Sequence, residues 1–259
     1  LEQLDAIYFS PHKFLGGPGT SGVLLFNKAL YQNRIPDNPG GGTVLWTNPW
    51  GGHHYIEDIE AREDGGTPPI LQTIKTALAI RLKEQMGVEN MLAREHELLD
   101  ILWQESEGVP YWNILERQVK DRLGVVSFTL EGLHYNLAVK MLNDLYGIQV
   151  RGGCACAGTY GHFLFGISQE RSCEIVSKID AGDLSEKPGW VRLSLHPTMT
   201  DAELHYIIRA IKDIGQNHRQ YARDYEADLQ HGSFRHRSEP EMDTVVQEWL
   251  ALEEEALVA

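Results

Sequence analysis

Residues 6–22 read Ala6-Ile7-Tyr8-Phe9-Ser10-Pro11-His12-Lys13-Phe14-Leu15-Gly16-Gly17-Pro18-Gly19-Thr20-Ser21-Gly22, and Val23-Leu24-Leu25-Phe26 follows. Two short apolar runs flank a hydroxyl, an imidazole, an amine and a glycine-rich turn, which predicts two strands joined across the turn. A lysine there projects its amine from a fixed strand end into a cleft. Partial burial beside cationic or apolar groups lowers a lysine's pKa, and the neutral amine can form a Schiff base with an aldehyde. Ser10 and His12 stand close enough in sequence to help hold an anionic group such as a phosphate. The ordinary reading of Lys13 is a surface lysine beside a tight turn. That reading does not account for Ser-x-His-Lys plus Gly-Gly-Pro-Gly-x-x-Gly between two buried-type strands.

The chain has 259 residues, enough for one large domain or two small ones. Its 42% hydrophobic and 23% charged content fits a soluble globular protein. No run of about 18 apolar residues occurs, so no membrane span is expected, and no signal-like leader opens the chain. The 3 cysteines, two of them one residue apart, form no disulfide framework, which points to a reducing cytoplasm. A net charge of −14 argues against nucleic acid as a partner. From Asp224 to Ala259 ten acids face only Arg235 and Arg237, so this stretch carries −8 of the total. A solvated helical tail or a docking surface for a partner would both read this way.

Along the chain, residues 31–69 read as a long irregular segment broken by Asn38-Pro39-Gly40-Gly41-Gly42 and Gly51-Gly52. A helix is expected from near Pro69, with Leu71, Ile74, Leu78 and Leu82 on one face and Gly87 ending it. A second is expected from about Glu89 to Glu105. Val125–Leu130 alternates as a strand. Leu137, Met141 and Leu145 mark another helix, with Gly147 placed for a left-handed cap. Ile148–Val150 reads as a short strand aimed at Arg151, and Trp190–Leu195 as a further one. Thr200-Asp201-Ala202-Glu203 is a capping-box pattern opening a helix. Strands alternating with helices over 108–216 predict a small α/β domain with a mostly antiparallel sheet.

Three further places carry chemistry. Arg151-Gly152-Gly153-Cys154-Ala155-Cys156-Ala157-Gly158-Thr159-Tyr160-Gly161-His162 sets two thiols among small residues that let a loop approach a substrate closely. Cys156, near Arg151 and His162, can be held partly as thiolate, or can simply fill a tight loop. Arg192, in Trp190-Val191-Arg192-Leu193-Ser194-Leu195, needs an anionic partner, and its fork suits a carboxylate as well as it suits a structural ion pair. In Gly65-Gly66-Thr67-Pro68, the Gly66-Thr67 pair offers a backbone amide and a hydroxyl to a phosphate, or starts the next helix. Cys154, Cys156 and His162 fall short of the four ligands a structural zinc wants. The His53-His54 pair has no matching third ligand, so no metal is expected.

These motifs, in this order, resemble the class V aminotransferases, the pyridoxal-phosphate enzymes that include cysteine desulfurases and selenocysteine lyases. The resemblance covers residues 4 to about 216. It implies an α/β chain of the type I pyridoxal-phosphate transferase fold. Residues 1–75 would be the C-terminal part of the large cofactor domain, 76–216 the small C-terminal α/β domain, and 217–259 an acidic helical tail. It also implies that the chain is the C-terminal portion of a longer enzyme and inactive alone. Lys13 would carry pyridoxal 5'-phosphate as a Schiff base and move the substrate's proton. Ser10, His12, Gly66 and Thr67 would bind the cofactor, with Thr67 reaching the neighbouring subunit's phosphate across a homodimer with a shared site. Arg192 would grip the amino-acid substrate's carboxylate. In one desulfurase branch the nucleophilic cysteine lies five residues after a Val-Arg, as Cys156 does after Arg151. It would take sulfur as a persulfide for delivery to an acceptor protein.

The residues between that arginine and Cys156 depart from the family's usual ones. Cys154 is an added thiol, able to resolve a persulfide into a disulfide or to ligate a metal. An aminotransferase, epimerase or other lyase without persulfide chemistry is the neighbouring alternative. A non-catalytic dimerisation scaffold is the alternative from another class.

Overall fold

The computed structural model of the chain describes residues 4–154, 156–240 and 242–257. Residues up to 91 and from 92 onward form two separate compact units.

In the first unit, β1 (Ala6–Phe9) pairs antiparallel with β2 (Val23–Phe26), Phe9 opposite Val23. The segment expected to be irregular contains a second small hairpin, β3 (Val44–Thr47) with β4 (His53–Tyr55), and a one-turn helix, α1 (Ile59–Glu63). Buried Arg62 ties this segment together, donating to the carbonyls of Asn33, Ile56 and Glu57 at 2.8–3.0 Å. Such long-range clamping leaves no periodic trace in the sequence. Helix α2 (Ile70–Met86) starts and stops where Pro69 and Gly87 predict, Gly87 holding φ +78°. Three of the four residues of its expected core stripe are open, Leu71 at 78%, Ile74 at 52% and Leu78 at 60% exposure, while Thr76 and Ala79 are buried. The side of α2 carrying Leu82 and Lys83 packs toward the Lys13 turn instead, with Leu82 beside Gly16 and Lys83 over Phe14.

The second unit contains most of α3 (Val88–Glu105), which buries Leu98, Leu99, Leu102 and Trp103. A four-stranded antiparallel sheet follows in the order β5 (Trp112–Ile114), β6 (Val125–Leu130), β8 (Trp190–Ser194), β7 (Arg151–Gly153). The antiparallel expectation holds. Strand β7 begins at Arg151, not at Ile148, because Gly152 and Gly153 pair with Val191 and Trp190. Helix α4 (Tyr135–Tyr146) ends at Gly147 in the left-handed conformation (φ 65°, ψ 21°). Helices α5 (Gly158–Leu164) and α6 (Gln169–Asp180) follow β7. Helix α7 (Asp201–Tyr221) opens with the capping box of Thr200 and Glu203 and buries Leu204, Ile207, Ile208 and Ile211. With Phe128, Val126, Val191, Met141 and Leu142, these residues form one core.

Beyond α7 the chain is not wholly helical. A hairpin, β9 (Tyr225–Asp228) with β10 (Ser233–His236), precedes α8 (Met242–Leu257). The hairpin docks through Phe234 against His134 and through the Gly232 carbonyl, which accepts from Asn136 Nδ2 at 2.5 Å. Net charge alone does not reveal a hairpin whose contacts lie on a helix almost 100 residues earlier. Among the described residues no helix is long and apolar enough to cross a membrane.

Candidate active site

Strand β1 runs through Ser10 into a 3-10 turn, Pro11–Lys13. The Phe14 N–H donates to the Pro11 carbonyl at 2.8 Å, and the Gly17 N–H to the Phe14 carbonyl at 2.9 Å. The glycine at 17 is obligatory: a Cβ there would lie 2.0 Å from the Pro11 oxygen and 2.8 Å from the Phe14 oxygen. Phe14 stacks on Phe9 at 6.0 Å between centroids, and Lys83 Nζ caps its ring at 4.9 Å. These contacts fix the turn with Ser10, His12 and Lys13 all exposed. The partial burial invoked for Lys13 is not supplied by the described residues. Within the same turn the Thr20 hydroxyl oxygen is buried without a hydrogen-bond partner.

In the same unit, the Gly66 N–H donates to the Gly41 carbonyl at 2.8 Å, and Gly66 holds φ +98°. Gly65 is pressed against the Asn38 carbonyl, where a Cβ would stand 2.8 Å away. The three-glycine run and the Gly65-Gly66 pair thus lock together, which presents Thr67 exposed ahead of α2. The Gly66 amide is spent in this lock, so Thr67 is the group of the pair left to meet a ligand. His53 and His54 sit on β4 and line a cleft of about 500 Å3 with Arg34, Tyr55, Glu57 and Arg62.

In the second unit the sheet sets Arg151 of β7 directly opposite Arg192 of β8. Directly opposed residues of an antiparallel pair share one face with Cβ atoms about 5 Å apart, and like charges so placed repel. Neither guanidinium forms an ion pair among the described residues, and the half-buried Arg192 keeps a buried Nε without a hydrogen-bond partner. An unpaired Nε on a half-buried guanidinium favours an anionic ligand, and a carboxylate fits the guanidinium fork. From the same side Arg151 Nη2 reaches Cys156 Sγ at 3.7 Å. Cys156 is exposed and holds φ 65°, a left-handed conformation uncommon outside glycine.

The floor of this loop is tight. Gly152 lies against Asn136, Tyr135 and Val139, where a Cβ would meet atoms at 2.7–3.1 Å, and Gly189 lies against Tyr135. Tyr135 and Asn136 escape motif reading because they act through shape, on a helix that precedes the loop. His162 is turned away from the thiols. Its Nδ1 engages the Gly158 carbonyl and its Nε2 the Ser172 hydroxyl, both at 3.0 Å. Arg151 is the neighbour of Cys156 Sγ, and the Val-Arg spacing was the signal for it.

Against known proteins, residues 2–207 match the family model of the class V aminotransferases. The probable cysteine desulfurase of Staphylococcus aureus (strain N315) is 30% identical over 154 residues, 59% of this chain and 36% of its own. That of Staphylococcus epidermidis (strain ATCC 12228 / FDA PCI 1200) is 30% identical over 160 residues, 61% and 38%. Among solved structures, the apo cysteine desulfurase of Thermococcus onnurineus NA1 superposes with a TM-score of 0.62 at 25% identity, covering 82% of this chain and 47% of that one. The Escherichia coli cysteine desulfurase CsdA superposes at 0.60 and 19% identity, covering 83% and 46%. The chain thus spans little over a third of the curated relatives and about half of the solved structures. Its fold is that of the type I pyridoxal-phosphate transferases. By a family match that runs through both units, the chain belongs to the class V aminotransferases.

Proposed function

We propose that this chain carries the lysine, the sulfur-accepting thiol and the carboxylate clamp of a pyridoxal-phosphate-dependent cysteine desulfurase or selenocysteine lyase. The observation that carries the reading is the opposed Arg151–Arg192 pair, without a carboxylate partner among the described residues, beside the exposed Cys156. The donor set at the first site suits the cofactor. Ser10 and His12 offer a hydroxyl and an imidazole to the phosphate, Lys13 an amine to the aldehyde, and Thr67 a hydroxyl to the phosphate of a second subunit in a homodimer.

When bound, the cofactor supplies an electron sink that weakens the bonds at an amino acid's Cα. Arg192 holds the substrate carboxylate through two parallel hydrogen bonds, which fixes the Cα–H bond in one direction. Lys13 takes the Cα proton and returns it further along. Cys156, exposed beside the Arg151 guanidinium, attacks the substrate's sulfur and becomes a persulfide as alanine leaves. The sulfur then passes to an acceptor protein. In this proposal residues 1–75 belong to the large domain, 76–216 are the small domain and 217–259 are an appended acidic tail, and the enzyme works in the cytoplasm.

The test is Cys156→Ser in the holoenzyme. Sulfide release from L-cysteine should fall at least about 100-fold, while visible absorbance from cofactor attached at Lys13 remains. Sulfide release at the wild-type rate would remove the persulfide step. Borohydride reduction that leaves Lys13 unlabelled would remove the whole proposal.

A further inference from the structure

Resting on the proposed persulfide at Cys156, we infer that Cys154 is a resolving thiol, so that this chain can discharge its own sulfur as hydrosulfide and close a Cys154–Cys156 disulfide. The two cysteines are held by one turn. The Ala157 N–H donates to the Cys154 carbonyl at 2.8 Å, and Cys156, the third residue counted from Cys154, holds φ 65°. Positive φ at the third position is the signature of a tight reversal that brings the first and fourth residues within about 7 Å. Two consecutive Cα steps of about 3.8 Å hold residues 154 and 156 within about 7.6 Å of each other, and the bond that draws Ala157 back to Cys154 shortens this toward the roughly 4.4–6.8 Å that a disulfide spans.

Exposure divides the roles. Cys156 is exposed beside Arg151, open to a substrate, whereas Cys154, directly after β7, is half-buried. His162, the other group that a metal site would use, is engaged with Gly158 and Ser172. Of the two uses open to an added thiol, resolution is the one that the loop favours. Cys173 lies on a separate helix, α6.

The step balances without an external oxidant. The Cys154 thiolate attacks Sγ of the Cys156 persulfide. A Cys154–Cys156 S–S bond forms, the bond from Cys156 Sγ to the outer sulfur breaks, and hydrosulfide leaves with the electron pair. Cys154 loses one electron formally and the outer sulfur gains one; the Cys154 proton goes to solvent. The loop then stays oxidised until a dithiol reductant, small or protein, reopens it. A tethered thiol acts at an effective concentration of the order of millimolar, so it outpaces an acceptor present at about 10 µM by roughly 100-fold.

The experiment installs the sulfur independently of catalysis. The reduced chain, with Cys173→Ser as background, is treated with one equivalent of inorganic polysulfide and digested with trypsin. Both thiols then lie on the peptide Gly152–Arg171. Expected for Cys154 intact is a peptide about 2 Da light, with one equivalent of hydrosulfide released. Expected for Cys154→Ser and Cys154→Ala is a peptide about 32 Da heavy, with a lifetime about 100-fold longer. A persulfide that decays equally fast with and without Cys154 overturns the inference. A parallel arm gives L-cysteine to the Cys154→Ser holoenzyme. No persulfide there, with resolution still seen after polysulfide, overturns the desulfurase reading and upholds the thiol pair.

Discussion

Replacing Gly17 by alanine should disorder the turn that presents Lys13 while leaving the second unit's core unchanged. The added Cβ would sit 2.0 Å from the Pro11 carbonyl oxygen, an atom of the backbone that no rotamer change can move. An ordinary carbon–oxygen contact is about 3.4 Å, so something must shift by more than an ångström. Such overpacking costs about 1–3 kcal/mol. The displaced Pro11 and Phe14 carbonyls also accept the turn's two hydrogen bonds, each contributing about 1 kcal/mol. Against this, alanine restricts the unfolded chain and returns about 0.4–1 kcal/mol. A net local cost of about 2–4.5 kcal/mol makes opening of the turn roughly 30- to 2,000-fold more frequent. Hydrogen exchange at Phe14 and Gly17 reads that directly, and borohydride labelling of Lys13 in the holoenzyme reads its consequence. The control is Gly41→Ala, where a Cβ meets nothing within 4 Å. Equal exchange rates at Phe14 and Gly17 in the two variants would refute the steric argument.

Arg192→Gln relieves the repulsion with Arg151, so the thermal midpoint should hold or rise slightly, while KM for the amino acid rises about 10- to 100-fold through the lost bidentate bond. A falling midpoint with KM unchanged would make Arg192 structural. Thr200→Ala removes the hydroxyl that caps α7 and should cost about 1 kcal/mol in urea unfolding. Burial depresses His134 below its ordinary 6.5, and its Nδ1 accepts the Asn136 N–H that caps α4. The unfolded chain therefore binds the proton first, so stability is complete above pH 6.5 and declines as pH falls below it. His134→Asn keeps a cap acceptor without titrating there, and its melting temperature should stay flat from pH 7 to 5 where the wild type's drops. Burial pushes the Asp213 carboxyl up, but bonds from Tyr146, Tyr221 and Asn217 outweigh this and hold it below 3.8. The stability it contributes is present above 3.8 and is lost as pH falls through the lower folded value, and an acid titration of Asp213→Asn should lack that loss.

What the sequence determined by itself are the caps, turns and strands set by near neighbours along the chain. The apolar runs around Lys13 gave strands, Gly87 and Gly147 ended helices, and Thr200-Asp201-Ala202-Glu203 began one, because caps and turns are made within a few residues. The interval from Arg151 to Cys156 likewise survives as a contact, since five residues of loop can close on themselves. Tertiary structure decided what depends on distant partners. It opposed Arg151 to Arg192 across a register that nothing in either strand specifies, and it spent the Gly66 amide on Gly41 and His162 on Ser172. It also folded part of the acidic tail into a hairpin on α4. A side chain's local pattern fixes the shape it favours, but its partner is chosen only when segments far apart in the chain are brought face to face.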